Sequence, residues 1–290
     1  MHVLVNGVRL FFDVEGAKLV PDGPAMRERP TLLLLHGGPG FDHTIYKPVC
    51  SALADIAQVI YLDHRGNGRS DAGPKEAWTL AQWGDDVHAF CDALGIEKPI
   101  VLGVSFGGMV AMAYATRHPS HPGKLILISA EAKGGSHLEK RVELFERFGG
   151  PEVGALARRR FFEEKGQPNE AMIAEWRRLA MPHYTRKPRD AGAMRRAIIR
   201  PDVLQWFARP GPDAESRNFN MLADLSRVTC PTLVMGGEED PMHPIESQAE
   251  IAAALSPNLV RFERFPACGH GVIHDDPERG LAVIREFIAQ

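Results

Sequence analysis

No apolar run in this sequence approaches the length of a bilayer-spanning helix, which argues against a helical membrane anchor. Cysteine is scarce: Cys50, Cys91, Cys230 and Cys268 are widely spaced and form no CxxC pair. That spacing argues against a disulfide framework or a zinc site and for reduced thiols in a cytosolic protein. A charge excess of either sign is also missing. Lys and Arg total 34 against 37 Asp and Glu, a formal net charge of −3 that gives no electrostatic case for nucleic acid or an anionic membrane surface as partner. The opening MHVLVNGVRLFFDVEG lacks a basic stretch followed by a continuous apolar run, so it reads as the start of the fold and not as a signal peptide. A cytoplasmic location is the expectation. There is no GxxxxGK[ST], no dinucleotide fingerprint after the first strands and no metal-ligand cluster, so catalysis without cofactor or metal is expected.

What is present is a rhythm. Val3–Val5 and Val8–Val14 are strand-rich and flank Asn6-Gly7, a pair suited to the positive φ angles of a tight hairpin. A Pro/Gly-rich loop from Pro21 to Pro30 follows. Short apolar runs then recur at Thr31–Leu35, Val59–Leu62, Ile100–Val104, Lys124–Ser129, Thr232–Met235 and Leu259–Phe265. Such runs, bounded by Gly or Asp, suit strands buried on both faces of a parallel sheet. Helical patterns near 45–56, 79–94, 106–117, 244–255 and 277–289 lie between or after them. The alternation predicts an α/β fold with a mostly parallel sheet flanked by helices.

One interval breaks the rhythm. From Glu131 to Leu225 no strand pattern is convincing, and LEKRVELFERF, EVGALARRRFFEEK, NEAMIAEWRRLAM and the stretch Ala191–Phe207 have helical spacing. This predicts a helical cap, residues 131–225, inserted after the sixth strand into a core of residues 1–130 and 226–290. An insertion at the carboxyl end of a strand, where open α/β sheets bind ligands, suits a cap better than a solvated appendage. Arg158-Arg159-Arg160 reads as a solvated helix face, because acidic residues are interleaved nearby.

The sharpest local signal is Gly103-Val104-Ser105-Phe106-Gly107-Gly108, between an apolar strand and a small-residue helix. That is the setting of a nucleophile elbow, in which glycines let strand and helix approach and the serine hydroxyl stands out at the sheet edge. A serine needs a base, and the base needs an orienting acid. Strand Thr232–Met235 is followed by Gly237-Glu238-Glu239-Asp240, and Leu259–Phe265 by Gly269-His270-Gly271, in the chain order Ser, acid, His. Glu131, Glu238 and Glu239 compete with Asp240 for the acid, and His274 with His270 for the base; Asp240 and His270 are favoured. His36-Gly37-Gly38-Pro39-Gly40 also follows a strand. Its glycines make a tight turn and can bring the Gly38 amide, with that of Phe106, to an oxyanion. Asp63 and Arg65, in the next loop, read as loop-fixing residues.

Together, HGGPG at 36–40, DHRGNGRS at 63–70, GVSFGG at 103–108, GEED at 237–240 and GHG at 269–271 resemble the α/β-hydrolase superfamily, and within it the proline iminopeptidase-like branch, peptidase family S33. The resemblance covers both core segments, and the cap only in being helical. It implies Ser105 as nucleophile, His270 as base and then acid, and Asp240 as the orienting carboxylate. It also implies an aminopeptidase whose cap glutamates grip a free amino group, and Glu143, Glu146, Glu163, Glu164 and Glu175 are available for that. Phe106-Gly107-Gly108 stands where iminopeptidases often carry Trp-Gly-Ser, and His64 where they usually carry Gln. The leading expectation is a serine hydrolase that cleaves a small amide or ester, in a small molecule or short peptide, through an acyl-enzyme, with an iminopeptidase-like aminopeptidase as its most specific form. A carboxylesterase or lactonase (acyl-homoserine lactones included) and a carbon–carbon bond hydrolase with the same triad are the alternatives. A ligand-binding protein on the same scaffold is the reading from another class.

Overall fold

Asn6 and Gly7, at φ 44° and 78°, close the hairpin of β1 (His2–Val5) and β2 (Val8–Glu15) as the Asn-Gly pair predicts. The computed structural model describes residues 1–163, 169–188, 191–209, 211 and 214–290. A second hairpin, β3 (Leu19–Asp22) with β4 (Ala25–Glu28), overlaps the stretch expected to be loop. Its residues are nearly all exposed, so no buried face imposes the alternation that would mark a strand in the sequence.

The remaining strands are β5 (Thr31–Leu35), β6 (Gln58–Leu62), β7 (Ile100–Val104), β8 (Lys124–Ile128), β9 (Thr232–Gly237) and β10 (Val260–Phe265). They pair in parallel, while β1 and β2 join antiparallel at one edge, giving the order β1-β2-β6-β5-β7-β8-β9-β10. The helical pattern near 45–56 folds as two 3-10 segments, His43–Tyr46 and Val49–Asp55, on either side of Pro48. A proline there removes an amide donor and restricts the residue before it, which divides the turn.

Helices α1 (Leu80–Ala93) and α2 (Phe106–Arg117) follow β6 and β7. Between β8 and β9 come α3 (Leu138–Gly149), α4 (Pro151–Arg158), α5 (Glu170–Leu179), α6 (Ala191–Arg196), α7 (Pro201–Phe207) and α8 (Glu215–Asn218). A π-helical turn, Arg159–Glu163, extends α4, and the end of that expected helix lies outside the described residues. Pro201 opens α7 and splits the stretch Ala191–Phe207 in two. In this interval Val142, Phe145, Leu156, Phe161, Met172 and Trp176 form a hydrophobic cluster of their own. The chain ends through α9 (Ile245–Ala254), α10 (Val272–Asp275) and α11 (Pro277–Ala289).

Period-two alternation assigns the sheet residues to two cores. Leu33, Leu35, Val101 and Leu127 pack with Trp83, Phe90, Val110 and Tyr114 of α1 and α2. Leu32, Leu34, Leu102 and Ile126 pack on the other face with Val283, Ile284 and Phe287 of α11. Burial on both faces is why these strands read as unbroken apolar runs. Because β5 to β10 run in parallel, their carboxyl ends share one sheet edge, where the loops carrying His36, Ser105, Glu131, Asp240 and His270 emerge. No helix among the described residues is long and apolar enough to cross a membrane.

Candidate active site

Ser105 sits between β7 and α2 at φ 57° and ψ −120°, a left-handed conformation that costs a side-chain-bearing residue roughly 1–3 kcal/mol. Its glycine neighbours permit the turn. A Cβ on Gly107 would overlap the Leu35 carbonyl of β5, one on Gly103 the Gly107 carbonyl, and one on Gly108 would lie 2.6 Å from Ala130 Cβ. The strand, the serine turn and the helix can therefore close on one another only without side chains at those positions. The Phe106 amide is the first of α2, and neither it nor the Gly38 amide donates a hydrogen bond among the described residues. The loop of Gly38 lies close to the serine, since a Cβ on Gly37 would stand 3.5 Å from Ser105 Cβ.

Asp240 and His270 are brought together. The Asp240 carboxylate is fully buried, and its Oδ2 accepts from His270 Nδ1 at 2.8 Å. Its Oδ1 accepts from the amides of Met242 and His243 at 2.8 and 2.9 Å, so the carboxylate cannot rotate away without stranding both. With the proton on Nδ1, the Nε2 lone pair of His270 is available as a base. Ser105 and His270 line one cavity of about 300 Å³.

Glu131, Glu238 and His274 are engaged elsewhere. Glu131 is buried against Arg141 and lies 3.5 Å from His243 Nε2; burial raises its pKa although Arg141 opposes the shift. Glu238 pairs with Arg264 at 2.9 Å on the surface. His274 is half-buried in the cavity wall, with Nε2 3.1 Å from the Pro188 carbonyl. Of the glutamates considered for an amino group, Glu143 pairs with Lys140, Glu175 with Arg159, and Glu146 and Glu163 are exposed; Glu164 lies outside the described residues. Among the described residues no Asp or Glu lines the cavity.

The loops around the site are fixed by buried polar contacts, as expected of Asp63 and Arg65. Asp63 accepts from the His43 amide, His43 Nδ1 and the Arg69 amide at 2.7–2.9 Å. Burial disfavours its charge, but the His43 hydrogen bond and nearby imidazoles outweigh that and leave its pKa lowered. Arg65 forms a bidentate pair with Asp86 at 2.7 Å, both side chains only 3% exposed. His36 donates from Nδ1 to the Gly37 carbonyl and accepts at Nε2 from the His64 amide, a neutral tautomer consistent with the downward pKa shift that burial imposes. All four cysteines are buried and free.

Three contributors had no signal in the sequence. The Tyr184 carbonyl accepts the His270 amide at 2.6 Å, tying the helical segment to the histidine loop. Asp275 accepts from the amides of Gly269, Arg186 and Lys187 and clamps the same junction. His243 packs edge-on to His270 at 5.1 Å between ring centres; burial, then His270 and Arg141, hold its pKa well below the usual imidazole range. These depend on contacts between segments distant in the chain, and no spacing rule links them. Arg160 differs from expectation: Arg158 and Arg159 pair with Glu139 and Glu175 on the outer side, but Arg160 lines the cavity. The π-helical turn that includes Arg160 departs from the α-helical period on which the solvated reading rested.

Residues 30–277 match the sequence profile of the family described as alpha/beta hydrolase fold. The chain is 27% identical to "Putative carbamate hydrolase RutD" of Caulobacter sp. (strain K31), over 97% of this chain and 96% of that one. A thermophilic esterase from Thermogutta terrifontis is 26% identical, with a TM-score of 0.67 over 100% of this chain and 98% of its own. The proline iminopeptidase of Mycobacterium smegmatis superimposes with a TM-score of 0.78 at 23% identity, covering 100% of this chain and 97% of that one.

Proposed function

The chain belongs to the alpha/beta hydrolase fold family, and on that premise we propose that it is a serine hydrolase that cleaves a small ester or lactone through an acyl-enzyme on Ser105. The observation that carries the reading is the cavity wall: Ser105 and His270 share it with apolar side chains and arginines, and with no carboxylate among the described residues. An aminopeptidase must hold a substrate ammonium, and a cation taken out of water beside arginines needs a compensating anion. An ester or lactone carbonyl needs none. A protein named as an esterase and a proline iminopeptidase of Lactobacillus helveticus are each 26% identical to this chain, so the choice between them rests on the cavity wall.

In the proposed reaction the Ser105 hydroxyl attacks the acyl carbon while His270 Nε2 takes its proton. Asp240 holds the His270 ring through Nδ1 and favours the imidazolium. Negative charge on the former carbonyl oxygen is met by the amides of Gly38 and Phe106. Collapse expels the alkoxide, which receives the proton from His270. Water, deprotonated by the same imidazole, then attacks the acyl-enzyme, and Ser105 leaves with that proton. Residues 131–225 act as a cap on the core formed by 1–130 and 226–290, contributing Trp176, Met181 and Tyr184 to the wall.

The test is a fluorophosphonate probe followed by a substrate panel. Wild type should be labelled and Ser105→Ala should not. Short p-nitrophenyl esters and lactones should turn over, and proline β-naphthylamide should not. Labelling that survives Ser105→Ala, or turnover of the proline amide with silent esters, overturns the proposal.

A further inference from the structure

We propose that Arg160 is a carboxylate-recognition residue, so that the ester or lactone cleaved here carries a free carboxylate on the portion lying beneath the helical segment; this rests on the hydrolase reading above. Its two predecessors show what an arginine in this segment ordinarily does. Arg158 pairs with Glu139 at 2.7 Å and Arg159 with Glu175. Arg160 has no ion pair and no side-chain hydrogen bond among the described residues, yet it lines the same cavity as Ser105 and His270. Its guanidinium carbon stands 4.1 Å from the centre of the Trp176 ring. That ring is itself fixed, 3% exposed and donating from Nε1 to the Tyr184 hydroxyl at 2.7 Å. A guanidinium at the face of an indole is held by the ring while its in-plane N–H groups remain free for a planar, bidentate acceptor.

The electrostatics point the same way. Burial, reinforced by Arg141 and Arg217 and opposed by Tyr184, lowers the pKa of Arg160, the mark of a cation without a counter-charge. The Arg160 side chain is half-buried, so an anion entering the cavity would meet a cation already partly stripped of water. The other cations on the wall do not compete equally. Lys47 is paired with Asp13 and Glu15, Arg200 reaches the Gly68 carbonyl at 3.4 Å, and Arg177 is exposed. The π-helical turn that bears Arg160 is a departure from α-helix often found at functional sites.

The experiment compares p-nitrophenyl hexanoate with mono-p-nitrophenyl adipate, which adds a terminal carboxylate, on wild type, Arg160→Gln and Arg160→Lys. Wild type should prefer the adipate ester in kcat/KM. Arg160→Gln should cut that preference about tenfold or more, the scale of a charge-assisted hydrogen bond, and Arg160→Lys should retain part of it. An unchanged preference, or equal losses on both esters, overturns the proposal. Titration calorimetry with adipate against adipamide gives a readout independent of turnover: binding of adipate to wild type, weakened in Arg160→Gln, supports the assignment, and equal or absent binding refutes it. If neither ester turns over and Ser105 is not labelled, the hydrolase reading falls, while the calorimetry still decides the role of Arg160.

Discussion

Asp240→Asn separates orientation of His270 from stability of the loop. In the native protein Oδ2 accepts from His270 Nδ1 and Oδ1 accepts from the amides of Met242 and His243. An asparagine can keep its carbonyl oxygen toward the two amides, which have no other acceptor in that turn. Its NH2 then faces His270 and donates to Nδ1, so the imidazole proton moves to Nε2. That tautomer cannot accept the Ser105 proton. The expected fall in kcat on a p-nitrophenyl ester is about 10³–10⁴-fold, or roughly 4–5.5 kcal/mol of transition-state stabilisation. Thermal stability should change little, since the two backbone bonds persist. Asp240→Ala should differ by also stranding two buried amides, at about 1–3 kcal/mol each. Steady-state kinetics and thermal denaturation of the two variants provide the check. An Asp240→Asn enzyme with kcat within about tenfold of wild type would refute the role given to this carboxylate.

Gly107→Ala should abolish soluble expression or lower stability by several kcal/mol, because its Cβ would overlap the Leu35 carbonyl; Gly95→Ala, with φ +62° and open space around it, should cost only about 1 kcal/mol. Denaturant melts of the two variants test this, and similar losses would contradict the packing argument. His36, His64 and His243 are all held neutral by burial, with pKa values lowered in the fold. The unfolded chain therefore takes up protons first as pH falls below about 6.5, so stability from these residues is present above that pH and lost below it. Each histidine contributes a slope of up to about 1.4 kcal/mol per pH unit. His64→Gln should shallow the decline between pH 7 and 5 measured by urea denaturation, and an unaltered slope would show that His64 does not supply it.

Much of the core was legible because its chemistry is local. Leu32 to Leu35 had to be apolar in sequence since both faces of β5 are covered, and Gly103, Gly107 and Gly108 had to be glycine since the elbow leaves no room. The β3–β4 hairpin was illegible for the opposite reason: its residues face solvent and carry no pattern. Strand order was hidden as well, because β5 lies between β6 and β7 through pairings that no short-range spacing encodes.

Sequence alone thus determined the α/β rhythm, the strained serine turn and the candidates Asp240 and His270. Those features rest on steric and periodic constraints among residues close in the chain. Tertiary structure decided which acid faces the histidine, turning Glu131 to Arg141 and Asp240 to His270. It also decided that the cavity lined by Ser105 presents Arg160 and Trp176, with no glutamate among its described lining residues. Charge compensation is a property of neighbours in space, and the residues that compensate one another here lie tens to more than a hundred positions apart.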